Sequence, residues 1–301
     1  MVPKEGADAS PPMEEAAGSL PPLFFGTFQL RGEEASRATQ QAMELGYRAI
    51  DTASIYRNEE DIAMGLAASG VRREDVFITS KLAPNEQGYS KAMSALTSSL
   101  QRLNTSYLDL YLIHWPGAAK TPLESPANKR LRLESWQALE DALKLGMIRR
   151  AGVSNFCVRH LQELLACSEL VPCVNQVELH PACFQEELLR FCEAHKVQVQ
   201  AYSPLGSPAG VQSLLSNADV LRASKEEGVS AAQVLIRWAM QTCGSAVARS
   251  SNEQRLAENL ETTQLPELSE SSMNLLNAIT KTDTQGNRLV TKYCWDPSGV
   301  A

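Results

Sequence analysis

The chain contains no Gly-x-Gly triplet, and so no Gly-x-Gly-x-x-Gly turn of the kind that cradles a pyrophosphate in a Rossmann unit. It also lacks a Cys-x-x-Cys pair. Its seven cysteines, Cys157, Cys167, Cys173, Cys183, Cys192, Cys243 and Cys294, are odd in number and scattered. That pattern speaks against a metal knuckle, a dithiol motif or a disulfide framework, and fits a reduced compartment in which each thiol is a small buried apolar residue. No apolar run approaches the roughly 18 residues that a membrane span needs, and residues 1–20 have no basic stretch leading into an apolar one. Basic clusters are missing as well. With 28 Lys+Arg against 35 Asp+Glu the formal net charge is -7, which disfavours nucleic acid and anionic membranes as partners. The expectation is a cytoplasmic protein without a metal, monomeric or weakly dimeric, acting on small molecules.

What the chain does have is a regular alternation. Apolar strand-like runs occur at LFFG (23–26), RAIDTA (48–53), VFITSK (76–81), LDLYLIH (108–114), RAGVSN (150–155), CVNQVEL (173–179), VQAYSPL (199–205) and SAVARS (245–250). Between them lie segments such as EEASRATQQAMELG, SKAMSALTSSLQRLN and ESWQALEDALKLG, whose apolar residues recur every three or four positions and which close on Gly or Asn. Ser230 before AAQVLIRWAM is a good helix N-cap. Eight near-continuous apolar strands, each followed by helical sequence, predict an α/β fold of the (β/α)₈ TIM-barrel type, one domain over residues 21–301 behind a flexible tail of residues 1–20. The segments 116–132 and 206–223 are long for βα connections and are expected to form pocket walls, with the chain beyond Asn277 as a third.

In such a barrel the chemistry sits on loops leaving the carboxyl ends of the strands. Asp51 follows the apolar part of the second run, Tyr56 comes five residues later in the same loop, Lys81 ends the third run, and His114 ends the fourth. Taken singly, these are a turn acid, a solvated lysine and a core histidine. Together, at three successive strand ends, they have no solubility rationale and suggest a proton-transfer site. A tyrosine has an ordinary pKa near 10 and is a poor acid at neutrality. A nearby ammonium would favour its phenolate and release the proton, so Lys81 is expected to lower the Tyr56 pKa, with Asp51 keeping the lysine charged and oriented.

DTASIYRNE, TSKL, LIHWP, GVSNF, NQVELHP and AYSPLG occur in this order, each at an expected strand end, and together they resemble the aldo-keto reductase superfamily from about residue 20 to residue 259. The resemblance implies a (β/α)₈ barrel with NADPH or NADP+ lying extended across its mouth, which accounts for the missing Gly-x-Gly. It implies a catalytic tetrad at Asp51, Tyr56, Lys81 and His114, with Tyr56 as proton donor and a neutral His114 holding the substrate carbonyl. Ser154, Asn155 and Gln176 would bond the carboxamide, and Tyr202 would stack on the nicotinamide. Ser203, Leu205 and Ser207 would follow the pyrophosphate, and Gly26, Thr27, Phe28 and Asp51 would approach from the first two loops. Phe28, Tyr56, His114 and Trp115 would line the substrate pocket, joined by Trp295 from the tail.

After the eighth run the family shows a proline, a lysine and a small hydroxyl residue, then an arginine and a Glu-Asn pair. This chain has Ala248, Arg249, Ser250, Arg255, Glu258 and Asn259. A guanidinium can grip a 2′-phosphate bidentately, so preference for NADPH should survive the change, with Arg255 stacking on adenine. Ala83 after TSKL, and Ala182 and Cys183 after NQVELHP, stand where larger residues are common, so a roomier pocket is expected. Trp136 and Trp238 are expected in the core, and Glu178 and His180 in structural roles. The predicted function is NADPH-dependent reduction of aldehydes or reactive ketones to alcohols. The alternatives are a cofactor-binding barrel that acts as a redox sensor or interaction protein with little turnover, and a barrel enzyme in which Lys81 forms a Schiff base.

Overall fold

The computed structural model describes residues 19–281 and 289–301. Each of the eight runs forms a strand: β1 Leu23–Gly26, β2 Ala49–Asp51, β3 Phe77–Leu82, β4 Leu110–Ile113, β5 Ala151–Ser154, β6 Val174–Glu178, β7 Gln198–Tyr202 and β8 Ala246–Ala248. All pairings are parallel, each strand bonds to the next, and β8 bonds back to β1, so the sheet is a closed (β/α)₈ barrel. Six of the strands are shorter than their sequence runs, and polar residues that end runs turn away from the ladder. Asn155 and Ser203, for example, take left-handed backbones at φ +63° and +51°.

Eleven helices are described: α1 Gly32–Leu45, α2 Glu59–Ser69, α3 Tyr89–Arg102, α4 Ala127–Lys144, α5 Val158–Leu165, α6 Glu186–Ala194, α7 Ser207–Leu215, α8 Ala218–Glu227, α9 Ala231–Cys243, α10 Glu253–Glu261 and α11 Glu270–Asn277. The expected cap at Ser230 is present: its hydroxyl accepts from Gln233 N and its own N–H donates to Gln233 Oε1, both at 3.2 Å. Two of the three expected pocket walls are shorter than the sequence suggested. Loop 116–132 ends at Pro126, and Arg132 is buried inside α4. Segment 206–223 is largely helical, because Leu214, Val220 and Ala223 pack inward and Asn217 Oδ1 caps α8 by accepting from Asp219 N and Val220 N at 2.9 and 3.3 Å. Leu20, assigned to the tail on sequence, is buried under the barrel and donates its N–H to Gln198 Oε1 at 3.2 Å. The rest of that tail through residue 18, and residues 282–288, lie outside the described residues.

Alternation along the strands separates two cores. Phe25, Ile50, Ile78, Tyr111 and Val153 face the helices, with Trp136 and Trp238 behind them. Phe24, Ala49, Leu110, Leu112, Val174 and Val247 fill the barrel itself. Gly152 makes that filling possible, since a Cβ there would lie 2.6 Å from Val174 Cγ1 and 2.8 Å from Leu112 Cδ2. Toward the carboxyl ends the same inward positions become polar at Asp51, Lys81, Gln176 and Gln200. Among the described residues no helix is long and apolar enough to cross a membrane. The thiols are free. Cys183 and Cys192 are buried as expected, but Cys167 is exposed and Cys294 sits at the barrel mouth.

Candidate active site

Asp51 is the last residue of β2 and Lys81 the fifth of β3, so both side chains point into the upper barrel. Lys81, 0% exposed, donates from Nζ to Asp51 Oδ1 at 2.5 Å and to Thr52 O at 3.0 Å. Burial draws its ammonium below the ordinary lysine value, opposed by the Asp51 charge and hydrogen bond. With its head held by two acceptors and closed to solvent, Lys81 is a poor candidate for a Schiff base.

Tyr56 ends a single 3₁₀ turn, Ser54–Tyr56, closed by Arg57 at φ +54°. Ser54 Oγ pins that turn to Glu86 Oε2 at 2.7 Å and Lys81 O at 3.1 Å. Asn58, which sequence reasoning passed over inside the same string, ties the turn to the first loop. Its Oδ1 accepts from Thr52 Oγ1 at 2.9 Å, and its Nδ2 donates to Thr27 O and Leu30 O at 2.8 and 2.9 Å. Lys81 Nζ lies 5.3 Å from the centroid of the Tyr56 ring.

The expected lowering of the Tyr56 pKa is not found. Burial raises it well above 10, and Asp51 and Cys294 add to the rise. The Asp51 carboxylate, 2.5 Å from the ammonium, offsets its field at the phenol, so burial decides the direction. Tyr56 is therefore held in its neutral form. His114 moves the other way: burial, then the Lys81 charge, hold it well below 6.5, and the ring is neutral at physiological pH as expected. Its Nδ1 is buried without a partner.

Five rings cross the mouth in a row. Centroids are 5.1 Å apart for Phe28 and Tyr56, 5.7 Å for Tyr56 and His114, 6.0 Å for His114 and Trp115, and 4.7 Å for Trp115 and Trp295. Trp295 belongs to a strap, residues 289–301, whose anchors sequence reasoning missed. Glu178 Oε1 accepts from Tyr293 N at 2.7 Å and Oε2 from Cys294 N at 3.3 Å, while the Tyr293 ring stacks on His180 at 5.2 Å. Burial alone would raise the Glu178 carboxyl, but bonds from His180 and Tyr293 N–H hold it below the usual range. Thr291 N donates to Ala182 O at 2.7 Å. The room expected beside Ala182 and Cys183 is thus taken up by the strap, and Ala83 is buried.

The residues expected around a nicotinamide do converge, but most of their polar atoms are engaged with one another. Ser154 Oγ donates to Gln176 O at 2.8 Å; Asn155 Nδ2 donates to His114 O at 3.0 Å and to Ser154 Oγ at 3.1 Å; Tyr202 OH donates to Asn155 Oδ1 at 2.8 Å. Gln176 Nε2 donates to Asp51 Oδ2 and to Gln200 Oε1, both at 2.7 Å, which leaves Gln176 Oε1 as the open acceptor. Ser203, Tyr202 and Ser207 counter the burial that raises the Cys294 thiol, and Leu205 packs against the core. Thr27 Oγ1 is turned to Asp51 O at 3.0 Å, next to Gly26 at the end of β1. Beyond β8, Arg249 is exposed and donates from Nε to Phe28 O at 3.2 Å. Ser250 is buried and bonded to Asn252. Arg255 is exposed on the first turn of α10, where Asn252 Oδ1 caps its N–H at 3.0 Å, and Glu258 and Asn259 follow on the same helix.

The chain that carries this site resembles known proteins in sequence and in fold. The model of the Aldo/keto reductase family matches residues 22–281. The chain is 41% identical over 268 residues to the glyoxal reductase of Bacillus subtilis, covering 89% of this chain and 91% of that protein. It is 40% identical over 243 residues to the 9,11-endoperoxide prostaglandin H2 reductase of Trypanosoma cruzi, covering 80% and 81%. A crystal structure of a Bombyx mori aldo-keto reductase in complex with NADP aligns at a TM-score of 0.78 and 30% identity, covering 87% and 90%. An aldo-keto reductase enzyme from a Medee basin deep-sea metagenome library aligns at 0.81 and 32%, covering 92% and 96%. With the family matched over nearly all of the barrel, this chain belongs to the aldo/keto reductase family of carbonyl-reducing oxidoreductases.

Proposed function

We propose that the protein uses NADPH to reduce aldehydes and reactive ketones to alcohols, with Tyr56 as the proton donor. The observation that carries this reading is the Asp51–Lys81 pair, 2.5 Å apart and sealed beneath Tyr56 and His114. Bound NADPH supplies a hydride to a carbonyl carbon. Negative charge then grows on the carbonyl oxygen, and Tyr56, neutral and fixed by its pinned turn, gives its proton to that oxygen. Neutral His114 orients the oxygen without adding a charge, and Lys81 limits the cost of the phenolate left behind. The residues present suit the cofactor. Gln176 Oε1 can accept from an amide, the Tyr202 ring offers a flat face, and the exposed Arg249 guanidinium fits a 2′-phosphate, which favours NADPH over NADH. Glyoxal and prostaglandin H2, from the names of the two relatives, bracket the range of substrates worth testing.

The test follows loss of NADPH absorbance over glyoxal, methylglyoxal, aromatic aldehydes and prostanoid ketones. Tyr56→Phe should lose roughly 10²- to 10⁴-fold in kcat while still binding NADPH. Arg249→Ala should weaken NADPH by about 1.5–3 kcal/mol and NADH far less. Wild-type protein that binds NADPH but turns over none of the panel would overturn the proposal.

A further inference from the structure

A hydrogen-bonded chain runs down the barrel interior from the active site to the amino-terminal end of β1. Gln176 Nε2 donates to Asp51 Oδ2 and to Gln200 Oε1, both at 2.7 Å; Gln200 Nε2 donates to Ser245 Oγ at 2.9 Å; and Ser245 Oγ donates to Pro21 O at 2.7 Å. Gln176, Gln200 and Ser245 are each 2% exposed or less. The two glutamines are register partners across β6 and β7, so their side chains leave the sheet side by side.

The direction of this chain is fixed at both ends by groups that can only accept. The Asp51 carboxylate requires the NH₂ end of Gln176, and the second proton of that NH₂ requires the carbonyl of Gln200. Gln200 then presents its own NH₂ to Ser245, whose proton goes to the carbonyl of Pro21. Flipping either amide would set two donors, or two acceptors, against each other in a closed interior, where an unmet bond is costly.

We infer that Gln200 is a positioning residue: it locks the Gln176 amide so that Oε1 alone faces the mouth, making this site an acceptor selective for a carboxamide NH₂. Ser154 Oγ and Asn155 Oδ1 differ in that each already accepts within the protein, from Asn155 Nδ2 and from Tyr202 OH. Remove the acceptor at position 200 and Gln176 keeps only one reason to hold its orientation. Its amide, tied to Asp51 alone, can then swing about that one bond, and Oε1 no longer keeps a fixed place at the mouth.

The inference rests on NADP(H) binding at this mouth, and its test separates the two claims. Binding of NADP+ and of its 3-acetylpyridine analogue, which has a methyl where the carboxamide has NH₂, is measured by quenching of tryptophan fluorescence. Wild type should bind NADP+ roughly 10-fold more tightly than the analogue, the ratio expected for one buried hydrogen bond. Gln200→Met should bring the ratio to within about 2- to 3-fold. Gln200→Glu should restore it, because a buried carboxyl without a cation of its own takes up a proton and presents C=O to Gln176 and O–H to Ser245, as the amide does. If Gln200→Met does not fold, Ser245→Ala, which frees Gln200 from below, should lower the ratio in the same direction. A ratio unchanged in the folded variants, or near one in wild type, overturns the inference alone. Wild type that binds neither nucleotide overturns the proposed function and this inference with it.

Discussion

The barrel interior and the strap across its mouth are held by opposite means. Inside, side chains bond to side chains: Lys81 to Asp51, Asp51 to Gln176, Gln176 to Gln200, all sealed from solvent. The strap is held mainly by its own backbone. Glu178 takes the N–H groups of Tyr293 and Cys294, Arg159 donates to Ser298 O at 2.7 Å, His160 bonds Val300 O at 2.9 Å, and Arg132 donates to Ala301 O at 2.7 Å. The first region is specified residue by residue and resists change. The second can accept new side chains at little cost, provided its few anchors stay, and this suits an element that shapes the pocket rather than performing the chemistry. Fixed chemistry beneath a variable wall is a division of labour that mutation can test.

The largest effect should come from breaking the interior. Lys81→Met leaves the Asp51 carboxylate buried without its cation, and loss of one partner of a buried pair destabilises by about 3–5 kcal/mol. Urea unfolding should show this, and adding Asp51→Asn to Lys81→Met should recover much of it, since no unpaired charge then remains. Lys81→Met that unfolds like wild type would mean that the interior is not held by this pair, and the contrast with the strap would fail.

The strap should yield to acid while the interior holds. Cys157 N–H donates to His160 Nδ1 at 3.3 Å, so the ring proton is on Nε2 and goes to Val300 O at 2.9 Å. Burial pushes His160 down to about 4, outweighing the opposing bond to Val300. An unfolded histidine takes a proton below about 6.5, whereas the folded one resists until about pH 4. Stability is therefore intact above pH 6.5 and falls as pH drops from 6.5 to 4, by about 3 kcal/mol in full. Urea midpoints at pH 7 and pH 4.5 should show that loss in wild type and much less of it in His160→Gln. Equal losses in both proteins would remove His160 from the strap's anchors.

The two regions also differ in how far the sequence revealed them. Asp51, Tyr56, Lys81 and His114 were legible because strand ends are set by local apolar runs, and a barrel brings strand ends together whatever the helices do. The protonation of Tyr56 was not, because it depends first on how deeply the fold buries the phenol and then on the nearby Asp51 charge, neither of which spacing encodes. Gln200 reads as one more polar residue in VQAYSPL, and only the register of β6 against β7 sets it beside Gln176. Segment 206–223 misled because its two glycines and Pro208 mimic a loop, while Asn217 quietly caps a helix. A wall from the chain beyond Asn277, with Trp295 in it, was expected, but its anchors were invisible: the carbonyls at 298, 300 and 301 carry no residue identity, and the side chains that hold them lie more than a hundred positions away.

The smallest effect, and the finest test of the contrast, concerns Trp295. It is 45% exposed and stands edge-on to Trp115 at 4.7 Å, so Trp295→Ala removes little from the core and one aromatic pair from the pocket wall. Such a pair contributes about 0.5–1.5 kcal/mol beyond its buried area. Thermal unfolding should barely move, and kcat for glyoxal should be unchanged, since that small substrate would need only Tyr56 and His114. KM for bulky aromatic aldehydes should rise roughly 2- to 10-fold, the same energy expressed as affinity. A uniform rise for small and large carbonyls would place Trp295 in general support of the mouth. A marked drop in melting temperature would make the strap as integral to the fold as the barrel interior, and the distinction between fixed chemistry and variable wall would no longer stand.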